Sequence, residues 1–271
     1  MKRIIFLVAA CLTGVATLQA QVKPLIYEIS AGKIDLKAAD TYPQKVLKVL
    51  EHNDTLVRIE LSAFPPVTDS AQYGLTKTAP YMPGYAWPDS VARCLEPTAL
   101  IQSGDPRIKA IADTLFTGDE TLAIDVIRKG LEFSKNHLTF DQSLAMELGT
   151  GRCTTLPVDS ILDRRKGTCS EYTNLFIALM RHKGIPTRMA VGYIYMPQHN
   201  IEGSHAWAEC YLKNYGWFTV DPQNAVLWFP PGVIKLFHGT DFIDCNIPTL
   251  PEMYPVKVKI IDPQESRRSI K

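Results

Sequence analysis

The apolar positions of this chain change period near residue 185, and that change divides its C-terminal half into two kinds of element. Downstream, PTRMAVGYIYM from Pro186, HAWAECYLK from His205 and GWFTVDP from Gly216 alternate as strands do. KNYG, from Lys213 to Gly216, supplies a hairpin turn between the last two. Upstream the spacing is helical: from Cys169, residues Tyr172, Leu175, Phe176, Leu179 and Met180 fall on one face. Gly184 is a natural stop for that helix, with Pro186 just beyond it. A helix followed by consecutive antiparallel strands predicts an α+β domain.

Earlier segments read less uniformly. TYPQKVLKVLEHN has the spacing of a short amphipathic helix, and DTLVRIELSAF alternates as a strand. Pro65, Pro66, Pro80, Pro83, Pro88 and Pro97 then punctuate a stretch that also holds Tyr73, Tyr81, Tyr85 and Trp87. Proline at that density predicts an irregular loop, with the aromatics packing it onto the body. Asp105 and Pro106 open a helix to about Leu115. Thr117 and Glu120 have the spacing of a capping box, predicting a second helix through Leu122, Val126, Ile127 and Leu131. Pro157 opens a short helix to about Arg165, which Gly167 ends, and VKVKIID near the C-terminus has the pattern of a further strand.

The first residues carry Lys2 and Arg3, an apolar run from Ile4 to Leu18, and Ala20 before Gln21. This is the pattern of a secretory signal peptide, too short for a full membrane span, and lipid anchoring through Cys11 is not expected because the apolar run continues past it. The expected organisation is therefore a signal peptide over 1–20, an N-terminal mixed α/β accessory region over 21–116, a core over 117–245 and a C-terminal extension over 246–271. The mature protein is expected to be exported, periplasmic or secreted, with no membrane span.

Composition narrows the function classes. The 271 residues are 46% hydrophobic and 21% charged, and 29 basic against 28 acidic side chains leave a formal net charge of +1. That balance gives no electrostatic footprint for nucleic acid. No Cys-x-x-Cys pair, HExxH motif or EF-hand loop occurs, so neither metal nor cofactor is expected. Removing Cys11 leaves an odd number of cysteines, Cys94, Cys153, Cys169, Cys210 and Cys245, so at least one thiol stays unpaired within the chain. The four besides Cys169 read as buried thiols; if they were paired, three connectivities would be open.

Cys169 stands where a helix begins. The first backbone N–H groups of a helix lack internal partners, and its dipole favours an anion there, so the position suits an ionised sulfur. A cysteine nucleophile needs a base and the base an orienter. His205 opens one strand and Asp221 closes the next, and pairing through the Lys213–Gly216 turn brings them to one end of the hairpin. Asp221 would then bond one imidazole nitrogen and leave the other facing Cys169. Gly167 is expected to turn the backbone before Cys169 and leave room for a substrate chain. Glu209 shares a strand face with His205 and is expected to pair with Arg188 rather than do chemistry.

The blocks GTCSEYTNLFIALMRHKGIPTRMAVGY, HAWAECYL and GWFTVDP together resemble the transglutaminase-like superfamily over about Thr117–Gln223. The resemblance implies a papain-like core in which the helix carrying the cysteine packs on an antiparallel sheet. It also implies Cys169 as nucleophile, His205 as general base and acid, and Asp221 as orienter. Trp207, Tyr193 and Gln142 are candidates for contact with substrate, and Gln142, Trp87 and Tyr172 for the second donor of an oxyanion hole. The activity implied is attack on a peptide or side-chain amide through a thioester, with peptidase or amidase hydrolysis favoured over protein-glutamine acyl transfer. A noncatalytic peptide- or glycan-binding module is the alternative from another class.

Overall fold

A computed structural model describes residues 24–63, 70–150, 155–230, 232–247 and 256–261. The expected signal segment with Cys11, the Pro65–Pro66 pair, Cys153 and most of the expected C-terminal extension lie outside the described residues. Among the described residues no helix is long and apolar enough to cross a membrane.

Two antiparallel sheets frame the molecule. The first is built from β1 (Leu25–Ala31), β2 (Gln44–His52) and β3 (Val57–Ala63), with the C-terminal strand β11 (Lys257–Ile261) returning to pair with β1. Its order is β11-β1-β3-β2. Tyr27, Ile29 and Ala31 on β1 and Val57, Ile59 and Leu61 on β3 bury one face, as strict alternation requires.

The β2 segment is the one read as a helix, and it is a strand. Two register shifts, between Val46 and Lys48 and between Val49 and Glu51, each insert one residue into its pairing with β3. A bulge lengthens the apolar spacing locally, so a doubly bulged strand imitates a helical period. The turn that follows is chemically explicit: the Asn53 side chain accepts from the Thr55 N–H at 3.0 Å and the Leu56 N–H at 2.9 Å.

The proline-punctuated stretch is also more regular than expected. Helix α2 (Ser70–Thr78) forms between its prolines and is held by Trp228, whose Nε1 donates to Thr76 Oγ1 at 2.9 Å and whose ring meets Tyr73 at 4.9 Å. A short helix α1 (Leu36–Ala39) precedes β2, and another, α3 (Asp89–Ala92), follows α2. Helix α4 (Pro106–Leu115) starts at the Asp105 cap as expected, the carboxylate accepting from the Arg107 N–H. Helix α5 (Ala123–His137) starts later than the Thr117–Glu120 spacing implied. Glu120 does accept from the Thr117 and Gly118 N–H groups, but Thr121 and Ala123 are taken up in pairing with Tyr81 and Ala79. The helix begins where that pairing ends.

The second sheet, β10-β6-β7-β8-β9, comprises β6 (Thr187–Met196), β7 (Ile201–Leu212), β8 (Gly216–Asp221), β9 (Val226–Leu227) and β10 (Val233–Gly239). Helix α8 (Cys169–His182) packs on β6 and β7 and is covered elsewhere by α4, α5 and α7 (Val158–Arg164). Every residue from Ser170 to Arg181 is buried, so the single apolar face read from the sequence is only half of the packing. The polar side contacts protein too: Asn174 Nδ2 donates to the Leu156 carbonyl at 2.9 Å, and Arg181 Nε to the Thr187 carbonyl at 3.0 Å.

Candidate active site

The N-terminus of α8 is fixed by a carboxylate. Thr168 donates through both its N–H and its hydroxyl to Glu171 Oε2, each at 2.7 Å. The other oxygen of Glu171 accepts from Thr155 Oγ1 at 2.7 Å and from the Leu156 N–H at 2.9 Å. Glu171 is wholly buried, so these four donors, with Ser170 Oγ at 3.3 Å, satisfy a carboxylate that would otherwise be costly in that position. Sequence reasoning missed this residue, although Thr-x-x-Glu at 168–171 is a capping-box signature. Gly167 departs from its expected role: a Cβ there would lie 2.2 Å from the Cβ of Glu171, so the space beside it holds Glu171 rather than a substrate chain. Gly167 pairs with Phe140 through the two-residue strands β4 (Thr139–Phe140) and β5 (Lys166–Gly167). Cys169 is the first residue of α8, partly exposed and free of any disulfide.

His205 arrives from the sheet. It lies inside β7 rather than at its start, because pairing with β6 continues to Ile201. His205 faces Gly192 across that pair, and a Cβ on Gly192 would stand 2.9 Å from the Trp207 ring and 1.9 Å from the Ile234 carbonyl oxygen. Only glycine allows the strands and the indole to approach so closely there. Pairing of Ala208 with Val220 sets the register with β8 and puts Asp221 diagonal to His205. His205 Nε2 donates to Asp221 Oδ2 at 2.9 Å, and the Cys169 sulfur is near enough to act on the imidazole electrostatically. One turn into α8, Thr173 Oγ1 donates to the Cys169 carbonyl at 2.7 Å and lies 3.4 Å from the Ala206 carbonyl, which stitches the helix end to β7 beside His205.

The electrostatics of the pair follow from these contacts. Burial opposes an imidazolium at His205, but the hydrogen bond to Asp221 and the nearby Cys169 sulfur outweigh it and raise the group to about 10. Burial pushes Asp221 up, yet the bonds from His205 and Asn224 win and hold it below the ordinary carboxylate value. Asp221 also accepts from the Gln223 N–H at 2.9 Å, the Asn224 N–H at 3.2 Å and Asn224 Nδ2 at 2.7 Å. Asn224 is the second residue that sequence reasoning missed; an Asp followed by a turn is its only local signal.

The remaining candidates are scattered. Trp207 is 1% exposed, wedged between His205 and Phe229 beneath the imidazole, and Tyr193 is 8% exposed in the main core; both meet protein rather than solvent. Gln142 is exposed at the first residue of α6 (Gln142–Gly149), just after Asp141, whose N–H donates to the Gly167 carbonyl at 2.9 Å. The Tyr172 hydroxyl donates to the Leu138 carbonyl at 2.9 Å and is thus engaged. Trp87 packs on Tyr211 near Gly184 and Pro186, at the far end of α8, on the order of 20 Å from Cys169 for a helix of this length. Glu209 pairs with Arg188, Nε to Oε2 at 2.7 Å, as expected, and also with Lys235, which was not foreseen. Cys94, Cys210 and Cys245 are buried free thiols.

Residues 109–222 match the model of the transglutaminase-like superfamily. A protein-glutamine gamma-glutamyltransferase of Pseudomonas aeruginosa is 29% identical over 135 residues, which cover 45% of this chain and 19% of that protein. The uncharacterized protein YebA of Bacillus subtilis is 32% identical over 78 residues, 24% of this chain and 11% of its own length. This chain thus spans only a minor part of either relative. Among solved structures, a Cytophaga hutchinsonii protein provisionally named a cysteine protease superposes with a TM-score of 0.55 at 16% identity, covering 89% of this chain and 92% of its own. At that identity the likeness is one of fold. Over residues 109–222, therefore, this chain is similar to the transglutaminase-like superfamily, and it shares an α+β fold with the Cytophaga protein.

Proposed function

We propose that Cys169, His205 and Asp221 form the catalytic triad of an exported thiol enzyme that cleaves an amide bond of a peptide or protein. The observation that carries this reading is the buried hydrogen bond from His205 to Asp221 at 2.9 Å, with Cys169 at the first residue of α8 close enough to favour the imidazolium. The sulfur attacks the amide carbon, a C–S bond forms, the C–N bond breaks, and the His205 imidazolium gives its proton to the leaving amine. Water then attacks the thioester, a C–O bond forms as His205 takes the water proton, the C–S bond breaks, and the acid leaves with the Cys169 thiolate and the His205 imidazolium restored. The Cys169 N–H, at the open end of α8, is one donor to the developing oxyanion. Gln142 is the second, because Tyr172 is engaged elsewhere and Trp87 is remote. Export rests on the N-terminal pattern of residues 1–20.

Hydrolysis is favoured because water is the default acceptor unless a site is built to exclude it. Acyl transfer to an amine is the second reading, supported by the naming of the Pseudomonas relative. The first test is iodoacetamide alkylation of the mature protein, mapped to Cys169. His205→Ala should slow it by about tenfold or more, on the scale of losing a positioned base. Labelling indifferent to His205 would overturn the triad and leave the binding-module reading. A glutamine-containing peptide offered with a fluorescent primary amine then separates the two acceptors: ammonia release alone means hydrolysis, and amine incorporation means transfer.

A further inference from the structure

The segment that flanks Cys169 on the Gly167 side exposes two large apolar residues. Phe140 is 49% exposed and Met146 is 67% exposed. Phe140 is the register partner of Gly167, two residues before the sulfur, and the next residue, Asp141, is hydrogen-bonded to the Gly167 carbonyl. Met146 lies on α6, which starts directly after this pairing. Asp141 caps that helix by accepting from the Leu144 N–H at 3.1 Å, so Phe140, Gln142 and Met146 sit on a backbone anchored to the strand that leads into Cys169. Single exposed apolar side chains are ordinary on a protein surface. Here two lie on one segment whose backbone is hydrogen-bonded to Gly167, two residues before the candidate nucleophile.

We propose that Phe140 and Met146 are specificity-determining residues that receive an apolar side chain of the substrate next to the scissile amide, on its acyl side. This rests on the reading of Cys169 as the nucleophile. The occupant is the substrate's own side chain, because the backbone that carries Phe140 is paired with Gly167, two residues from the sulfur that attacks the scissile amide. Arg165 and Lys166, exposed on the same approach, disfavour a basic residue there.

The test needs no known substrate. Acetyl-leucine chloromethyl ketone and acetyl-glycine chloromethyl ketone both alkylate a cysteine by displacement: the C–S bond forms, the C–Cl bond breaks, chloride leaves and the thiol proton goes to solvent. They differ only in the side chain offered to the site. Labelling of Cys169 should be roughly tenfold faster with the leucine reagent, the effect of partly burying one apolar side chain. The ratio should collapse towards one in the Phe140→Ser, Met146→Gln double variant, while the iodoacetamide rate stays at the wild-type value. Met146→Gln alone, an exchange on an exposed helix surface, should lose part of the ratio. Equal rates for the two reagents in the wild type would overturn the proposal, as would a ratio that survives the double variant. An iodoacetamide rate indifferent to His205 would show instead that the triad itself fails.

Discussion

His205, the proposed base, also bears on stability through its proton. Its folded value of about 10 lies above the ~6.5 of an unperturbed histidine, so the folded state holds a proton that the unfolded state has released. The stabilisation is therefore complete below about pH 6.5 and is lost as pH rises through about 10. Denaturant unfolding at pH 7 and pH 10 should show a fall in the wild type that His205→Ala lacks; equal falls would sink the assignment. Glu171 gives a second expectation. With four donors on one buried carboxylate, Glu171→Ala should destabilise by about 1.5–3 kcal/mol, the scale of hydrogen bonds to a charged group. It should also slow Cys169 alkylation, because the same bonds fix the first turn of α8. Asn224 acts through Asp221: Asn224→Ala should lower turnover without changing the unfolding midpoint by more than about 1 kcal/mol.

Among the elements, β7 shows how one strand serves two environments. Ala206, Ala208, Cys210 and Leu212 belong to the main core, while Trp207 and Glu209 project to the other face. There Glu209, 1% exposed, pairs with Arg188 of β6 and Lys235 of β10 and so ties three adjacent strands. Burial alone would raise Glu209, but the two cations hold it at about 2. Its contribution is present above the ordinary carboxylate value and is lost as pH falls towards 2. Glu209→Ala leaves two buried cations without their partner and should cost about 3–5 kcal/mol, whereas an apolar replacement of the whole cluster need not. Thermal unfolding of the single variant against the Arg188→Met, Glu209→Leu, Lys235→Met triple variant checks this; equal losses would mean the charge pairing is not the cause.

At the scale of the molecule, the two sheets are joined by few polar contacts. Gln44, at the start of β2, donates to the Ala39 and Lys235 carbonyls at 3.0 Å and accepts from the Lys235 N–H at 2.5 Å. The Asp35 N–H donates to the Leu236 carbonyl at 3.1 Å beside it. Gln44→Ala strands the backbone of a buried strand and should cost about 1–3 kcal/mol. If the sheets form one cooperative unit, unfolding followed by tryptophan fluorescence and by far-ultraviolet circular dichroism should stay coincident in that variant. Two separated transitions would show that the N-terminal sheet folds independently.

The parts legible in the sequence are those whose causes are local. Helix α8 announces itself by its period and its stop at Gly184, and strands β6 to β8 by alternation. The short Lys213–Gly216 turn fixes the register that sets Asp221 diagonal to His205, so the meeting of these two residues follows from period and turn chemistry along the chain. The approach of Cys169 depends instead on the packing of α8 on β6 and β7. What the tertiary structure alone decided depends on partners with no local trace. The bulges of β2 arise from its pairing with β3, the second half of the Glu171 shell from Thr155 and Leu156, and Lys235 reaches Glu209 across 26 residues and Gln44 across 191. A period or a cap is a property of neighbours along the chain. Which donor meets a buried carboxylate, and which apolar side chain is left exposed, is settled only by packing.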